Sequence, residues 1–152
     1  MNPAELEIRR IEGDRRQFLD LLLIGDESED MIERYLDRGK LYVAFLGDEA
    51  IAVCVTTREG DSLVEIKNLA VAADYRRRGV GRHLLNCVER LNPGCTFQLG
   101  TGETPSTLRF YHNCGYRYSH RIEGFFTDNY PAPIVEEGVT LRDMVYLVKY
   151  PD

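Results

Sequence analysis

The sequence of 152 residues lacks any long apolar run. No stretch approaches the roughly 18 consecutive apolar residues that indicate a membrane-spanning helix, so we expect no membrane partner. The first residues, Met1–Glu7, show neither the basic nor the apolar segment of a secretory signal, which argues against secretion. Repeats, linkers and low-complexity tracts are missing too, and the length fits a single domain over 1–152.

Cysteine is sparse and shows no metal-binding pattern. No C-x-x-C pair occurs and the spacings fit no zinc module, so no metal is expected. The four cysteines are Cys54, Cys87, Cys95 and Cys114. We predict that all are reduced, as in a cytoplasmic protein, and that Cys54 in its apolar run is a buried small hydrophobe. A nucleophilic Cys114 near His112 stays open as an alternative without a visible third partner.

The net charge of −6 argues against nucleic acid as a partner. An acidic chain is compatible with a cationic substrate, although acidity also serves solubility alone. The hydrophobic content of 43% and the charged content of 29% are those of an ordinary globular protein.

The segment Leu69–Arg90 is the most informative part of the chain. It predicts a buried strand, a tight turn that carries arginines and glycines, and the start of a helix. Glycine permits close backbone approach to a ligand, and a helix start offers unpaired N–H groups with a partial positive charge. Such a turn suits a phosphate or pyrophosphate. It is not a P-loop, because no Gly-Lys-Ser or Gly-Lys-Thr occurs, and a Rossmann fingerprint would need glycine at Leu84.

The turn matches the pattern [RQ]-x-x-G-x-[GA] as Arg76-x-x-Gly79-x-Gly81. It resembles the acyl-CoA pyrophosphate loop of the GNAT superfamily of N-acetyltransferases. The resemblance implies acetyl-CoA as cofactor, with its diphosphate on backbone N–H groups from Arg77 to Arg82. A basic connection between strand and helix is the alternative. The cofactor-binding residues that the resemblance implies are Leu69, Ala70, Val71, Arg76, Arg77, Arg78, Gly79, Val80, Gly81, Arg82, Thr104, Ser106 and Tyr111.

The preceding strand carries the candidate base. Alternation by two places Glu65, Lys67, Leu69 and Val71 on one face of the strand, and Asn68 with its even-numbered neighbours on the other. In histone-acetylating members of the superfamily, a glutamate at the spacing of Glu65 is the general base. An amine with a pKa near 10.4 is almost fully charged at neutral pH, so a carboxylate that removes its proton is needed. The alternative is a solvated glutamate, or one paired with Lys67 or an arginine.

A second motif follows in Phe110-Tyr111-x-x-x-Gly115-Tyr116, which resembles the superfamily pattern L-Y-x-x-x-G-F. The resemblance implies that Tyr111 protonates the departing thiolate, unless it only packs between helix and sheet. Thr104 stands where the superfamily usually has asparagine, and it is a fair N-cap before a proline. Gly115 fits the left-handed position after a helix.

The predicted order β-α-α-β-β-β-α-β-α-β-β is that of the superfamily. It implies an α/β (α+β) fold, with a mixed, mostly antiparallel six- to seven-stranded sheet and helices on both faces. Superfamily members often form homodimers, and nothing in the sequence decides whether this chain does.

Two segments are candidates for the acceptor site. The acidic run 26–30, with Asp26 and Glu27, falls in a connection that usually lines this site, although acids also favour a helix start. The segment 124–138 is long for a hairpin loop, and two prolines exclude a central strand there. Phe125, Phe126 and Tyr130 could form an acceptor wall with Asp128, Glu136 or Glu137 holding a cation. Equally, the aromatic rings could only fix the loop to the core.

The sequence therefore predicts an acetyl-CoA-dependent N-acetyltransferase. The acceptor would be a primary amine of a small molecule or peptide, which attacks the thioester directly. An acyl-CoA-binding sensor or regulatory module of the same fold is the main alternative, and a general nucleotide-phosphate binder is a weaker one.

Overall fold

The computed structural model describes residues 1–152, which form two compact units, 1–95 and 96–152. Seven strands belong to one mostly antiparallel sheet, and two short strands form a separate ribbon. None of the helices has the length and apolar character that crossing a bilayer requires. A single acyl-CoA N-acyltransferase domain over 1–152 stays a prediction.

The first unit contains four strands in the order β1-β2-β3-β4, with every neighbouring pair antiparallel. Its elements are β1 (Glu7–Ile11), α1 (Leu19–Gly25), α2 (Glu29–Glu33), β2 (Lys40–Leu46), β3 (Glu49–Gly60), β4 (Leu63–Val71) and α3 (Val80–Arg90). A tight hairpin turn joins β2 and β3, with Gly47 at a φ of 60°. The second helix, α2, ends at Glu33, and turns continue to Gly39, whose N–H donates to the Tyr35 carbonyl.

Alternation along β3 divides the core of the first unit between two faces. Val53 and Val55 pack with Leu22 and Leu36 from the α1 and α2 side. Cys54 points to the opposite face, which contacts α3, and its complete burial raises the pKa of its thiol to about 12. The four cysteines form no disulfide, and Cys54 is the buried hydrophobe that the sequence indicated.

The second unit contains three strands in the order β5-β9-β6 and a separate β7-β8 ribbon. Its elements are β5 (Thr96–Thr101), α4 (Pro105–Asn113), β6 (Arg117–Ile122), α5 (Phe125–Asn129), β7 (Val135–Glu136), β8 (Val139–Thr140) and β9 (Met144–Lys149). Gly115 ends α4 at a φ of 98°, as predicted. Its N–H donates to the His112 carbonyl and the Tyr116 N–H to the Tyr111 carbonyl, which is the Schellman arrangement. The segment 124–138, predicted as a loop, contains α5 and β7, and β8 follows it directly.

Candidate functional site

A bulge in β4 changes the face to which the candidate base belongs. Thr57 on β3 pairs with Glu65 and Val55 pairs with Asn68, so three residues of β3 match four of β4. Directly paired residues share a face, and Val55 and Thr57 are two apart on β3. Glu65 therefore lies on the same face as Asn68, and the strict alternation predicted from the sequence is wrong here.

Glu65 is a buried carboxylate with a lysine as partner. The residue is 5% exposed, and its Oε2 accepts a hydrogen bond from Lys67 Nζ at 2.5 Å. The Lys67 side chain is 23% exposed. A buried carboxylate needs such a cation, because water no longer stabilises its charge. The lysine pairing named as an alternative from the sequence is therefore present, and it places an ammonium group on the predicted base.

The turn after β4 holds two residues in the left-handed region. Arg77 has a φ of 62° and Gly79 a φ of 82°. The left-handed conformation costs a residue other than glycine about 1–2 kcal/mol, so Arg77 stores strain that Gly79 does not. Gly79 is the N-cap of α3, and no side chain accepts a hydrogen bond from the first turn of this helix. The helix start is thus open to an external acceptor.

Four arginines surround this start, and all are exposed: Arg76, Arg77, Arg78 and Arg82. Arg76 Nε donates to the Val71 carbonyl at 3.4 Å, which ties the turn to the end of β4. The Arg78 guanidinium lies 5.8 Å from the centre of the Tyr75 ring. Gly81 is half-buried and Val80 is buried. An uncapped helix start with four nearby cations fits an anion such as a diphosphate.

The predicted strand segment of the cofactor site continues into this turn. Leu69 and Val71 are half-buried, and Ala70 is 4% exposed. Ala72 N–H donates to the Ile51 carbonyl at 2.8 Å, so β3 holds the chain just before it turns. The first unit therefore brings the buried glutamate, this strand and the open helix start onto consecutive segments.

The start of α4, in the second unit, carries other predicted cofactor-binding residues. Two carboxylates of the protein accept hydrogen bonds from these residues. Thr104 is the N-cap, as predicted, but its hydroxyl donates to Glu136 Oε2 at 3.0 Å and does not cap the helix. The N–H and the hydroxyl of Ser106 donate to the Glu137 carboxylate. The sequence suggested that Glu136 or Glu137 could bind a cation. In the structure, both instead accept hydrogen bonds from residues at the start of α4.

Tyr111 lies on α4 and is 8% exposed. Its ring contacts the Phe110 and Tyr116 rings edge to face, with centroid distances of 5.0 and 5.7 Å. These contacts fix the ring and support the packing role that the sequence left open. They are compatible with a proton donor, because a fixed ring presents its hydroxyl at one position.

One predicted acceptor residue of the first unit, Asp26, belongs to a polar network that the sequence did not reveal. Asp26 follows α1, accepts from the Ser28 N–H at 3.1 Å and from the Tyr35 hydroxyl at 3.3 Å, and is half-buried. Asn68 Nδ2 donates to that hydroxyl at 3.1 Å and to the Leu22 carbonyl at 2.8 Å. Glu27 is exposed. A polar residue between apolar strand neighbours was the signal that could have identified Asn68.

The predicted aromatic wall forms a cluster in the second unit. Phe125, Phe126 and Tyr130 are half-buried, and neighbouring rings have centroid distances of 5.3 and 5.6 Å. Asp128 is exposed. The three rings come together as predicted, and their contacts with one another account for their packing without a ligand.

Comparisons with known proteins agree with this geometry. A family model described as an acetyltransferase (GNAT) domain matches residues 37–118. An uncharacterised N-acetyltransferase, YvbK, of Bacillus subtilis strain 168 is 36% identical over 151 residues, with 97% of each chain covered.

Two solved structures of similar proteins contain a bound ligand, acetyl-CoA in one and CoA in the other. A GNAT family acetyltransferase from Elizabethkingia anophelis with acetyl-CoA bound is 32% identical, with a TM-score of 0.88 over 96% of this chain and 98% of that one. A Bacillus subtilis acetyltransferase in complex with CoA is 34% identical, with a TM-score of 0.85 over 95% and 98%. The predicted fold class and the cofactor of the family, acetyl-CoA, are confirmed. With its family model, its relatives and its fold in agreement, this chain belongs to the GNAT family of N-acetyltransferases.

Proposed function

We propose that this chain transfers the acetyl group of acetyl-CoA to a primary amine of a small molecule or peptide, and that the amine attacks the thioester directly. One observation carries the proposal. The open start of α3, with its exposed arginines, follows after one turn the strand that holds the buried Glu65 carboxylate.

Acetyl-CoA supplies an activated acyl group that an amine can attack. In this chain, backbone N–H groups between Arg77 and Arg82 would bind its diphosphate, because that helix start has no acceptor of its own. The main chain of β4 from Leu69 to Val71 would pair with its amides. Thr104 and Ser106 remain proposed contacts, and their hydroxyls would have to leave the glutamates or accept a second hydrogen bond.

Glu65 is the proposed general base. An amine with a pKa near 10.4 must lose a proton at a cost of roughly 4.6 kcal/mol at pH 7, and a nearby carboxylate reduces that cost in the reaction itself. Tyr111, held by two aromatic neighbours, would protonate the thiolate that leaves.

The acceptor is proposed to be cationic in solution. Asp26 and Glu27 contribute negative charge after α1, and Phe125, Phe126 and Tyr130 supply an apolar surface. A homodimer and a cytoplasmic location belong to the same proposal, and four cysteines that form no disulfide are consistent with that location. Light scattering tests the first, and fractionation of the producing cell tests the second.

The test is release of free thiol from acetyl-CoA in the presence of a panel of amines. We expect release with at least one class of amine, and a Glu65→Gln variant should lose about 10²-fold or more in turnover. The affinity for acetyl-CoA should not change in that variant. Glu59→Gln is a matched control, since it removes a carboxylate of β3 that has no proposed role as a base. Equal rates of wild type and Glu65→Gln over about pH 6 to 9 would reject the base assignment.

A non-catalytic acyl-CoA-binding module is the second candidate. The hydrogen bond between Lys67 and Glu65 favours it, because a paired carboxylate serves a chain that only binds. Such a module would bind acetyl-CoA and release no thiol with any amine, so the same experiment separates the two functions.

A further inference from the structure

Lysine is rare in this chain: the sequence has three, Lys40, Lys67 and Lys149. Lys149 Nζ donates to the Cys114 carbonyl at 2.9 Å and lies 5.8 Å from the centre of the Tyr116 ring. Lys40 is half-buried at the start of β2. Lys67 differs from both, because its ammonium touches the carboxylate proposed as the base.

The contact between Lys67 and Glu65 is the arrangement that an acceptor amine would need. The nitrogen lies 2.5 Å from the oxygen that would take its proton, and that oxygen belongs to a residue with 5% exposure. Lys67 also sits on the bulged part of β4, two residues before Leu69. Two residues of extended strand span about 6.6 Å, a distance that a lysine side chain can bridge.

We propose that Lys67 is an acceptor within the chain itself, so that the protein acetylates its own Lys67. This inference rests on the proposed function, with Glu65 as base and the thioester beside Leu69–Val71. The pKa of the Glu59 carboxyl is below its ordinary value because the Thr57 hydroxyl, the Arg38 guanidinium and the Lys67 charge all favour its ionised form.

The step balances with acetyl-CoA as the acyl donor. One proton passes from the Lys67 ammonium to Glu65, and the free amine forms a bond to the acetyl carbon while the carbon–sulfur bond breaks. The nitrogen loses a second proton as the amide forms, and the departing thiolate takes up one proton. The products are acetyl-Lys67, free coenzyme A and one proton, which Glu65 returns to water. Acetylation removes the cation that faces Glu65.

Peptide mass spectrometry after incubation with acetyl-CoA, without any acceptor, tests the proposal. We expect acetylation of Lys67 about 10²-fold faster than that of Lys40 and Lys149, which report uncatalysed modification in the same sample. The rate per chain should not change with protein concentration, since donor and acceptor meet within one molecule. Equal rates at all three lysines would overturn the proposal without any variant being needed.

Two variants separate this proposal from the proposed function. Glu65→Gln should lower the Lys67 rate to that of Lys40, and Lys67→Arg should keep the cation and remove the acetyl acceptor. If amines release thiol while Lys67 stays unmodified, self-acetylation is wrong and the transferase assignment stands. If neither reaction occurs although acetyl-CoA binds, the base assignment fails as well.

Discussion

The N-terminal ends of α3 and α4 differ in whether the protein itself supplies an acceptor for their N–H groups. Both helices begin with unpaired N–H groups and a partial positive charge. At α4 the chain supplies the anion itself, because Glu137 accepts from the N–H and the hydroxyl of Ser106. At α3 it supplies none, and exposed arginines add further positive charge. The difference indicates that the α3 start is kept free for an anion from outside.

The largest expected effect comes from making α3 resemble α4. Gly79→Asp places a carboxylate at the N-cap of α3, and aspartate tolerates the left-handed conformation better than most residues. The carboxylate would accept hydrogen bonds from the N–H groups at the start of α3, and its charge would repel the diphosphate. We expect the affinity for acetyl-CoA to fall about tenfold, or about 1.4 kcal/mol, in titration calorimetry.

Two controls separate charge from backbone strain. Gly79→Asn has the same shape without the charge and should lose much less affinity. Gly47→Asp introduces the same residue at another left-handed glycine, where a Cβ meets nothing within 4 Å, and should leave acetyl-CoA binding intact. Equal losses for the aspartate and asparagine variants at position 79 would show that the start of α3 binds no anion.

The converse change removes the anion from α4. Glu137→Gln should lower the free energy of unfolding by about 1 kcal/mol, which is typical of a lost cap and moves Tm by roughly 2–4 °C in a chain of this size. It also frees Ser106, so the affinity for acetyl-CoA should rise if this residue binds the donor. Glu103→Gln is the control, because its carboxylate binds Arg121 and no helix start. Unchanged affinity would remove Ser106 from the proposed donor site.

The same contrast shows what the sequence could predict. Local patterns identified the turn at Arg76–Gly81, the strand before it and Gly115, because φ preferences and alternation depend on neighbouring residues. The bulge at Lys67 and the contact of Glu137 with Ser106 escaped prediction. The first depends on the register between two strands, and the second joins residues 31 apart in the chain. Neither leaves a periodic signal.

A third helix start, that of α5, extends the comparison and makes it depend on pH. Asp143 accepts from the N–H of Gly124, the N-cap of α5, at 3.0 Å, and from Arg121 at 3.0 Å. The Gly124 N–H and then the Arg121 guanidinium lower the pKa of the Asp143 carboxyl. Because the folded state lowers this pKa, the carboxylate stabilises the fold above the ordinary aspartate pKa of about 3.9, and that stabilisation disappears as pH falls through the lowered value.

We therefore expect Asp143→Asn to lower the Tm slightly at neutral pH and to match the wild type in strong acid. Thermal unfolding of both proteins across that range measures the difference, and a Tm difference that stays constant with pH would contradict this expectation.

The three helix starts should therefore also differ in how they respond to acid. The start of α5 depends on a carboxylate that acid neutralises, whereas the start of α3 depends on backbone N–H groups, which do not titrate. Binding of acetyl-CoA at the start of α3 should therefore not follow the pH dependence of the Tm difference between Asp143→Asn and the wild type.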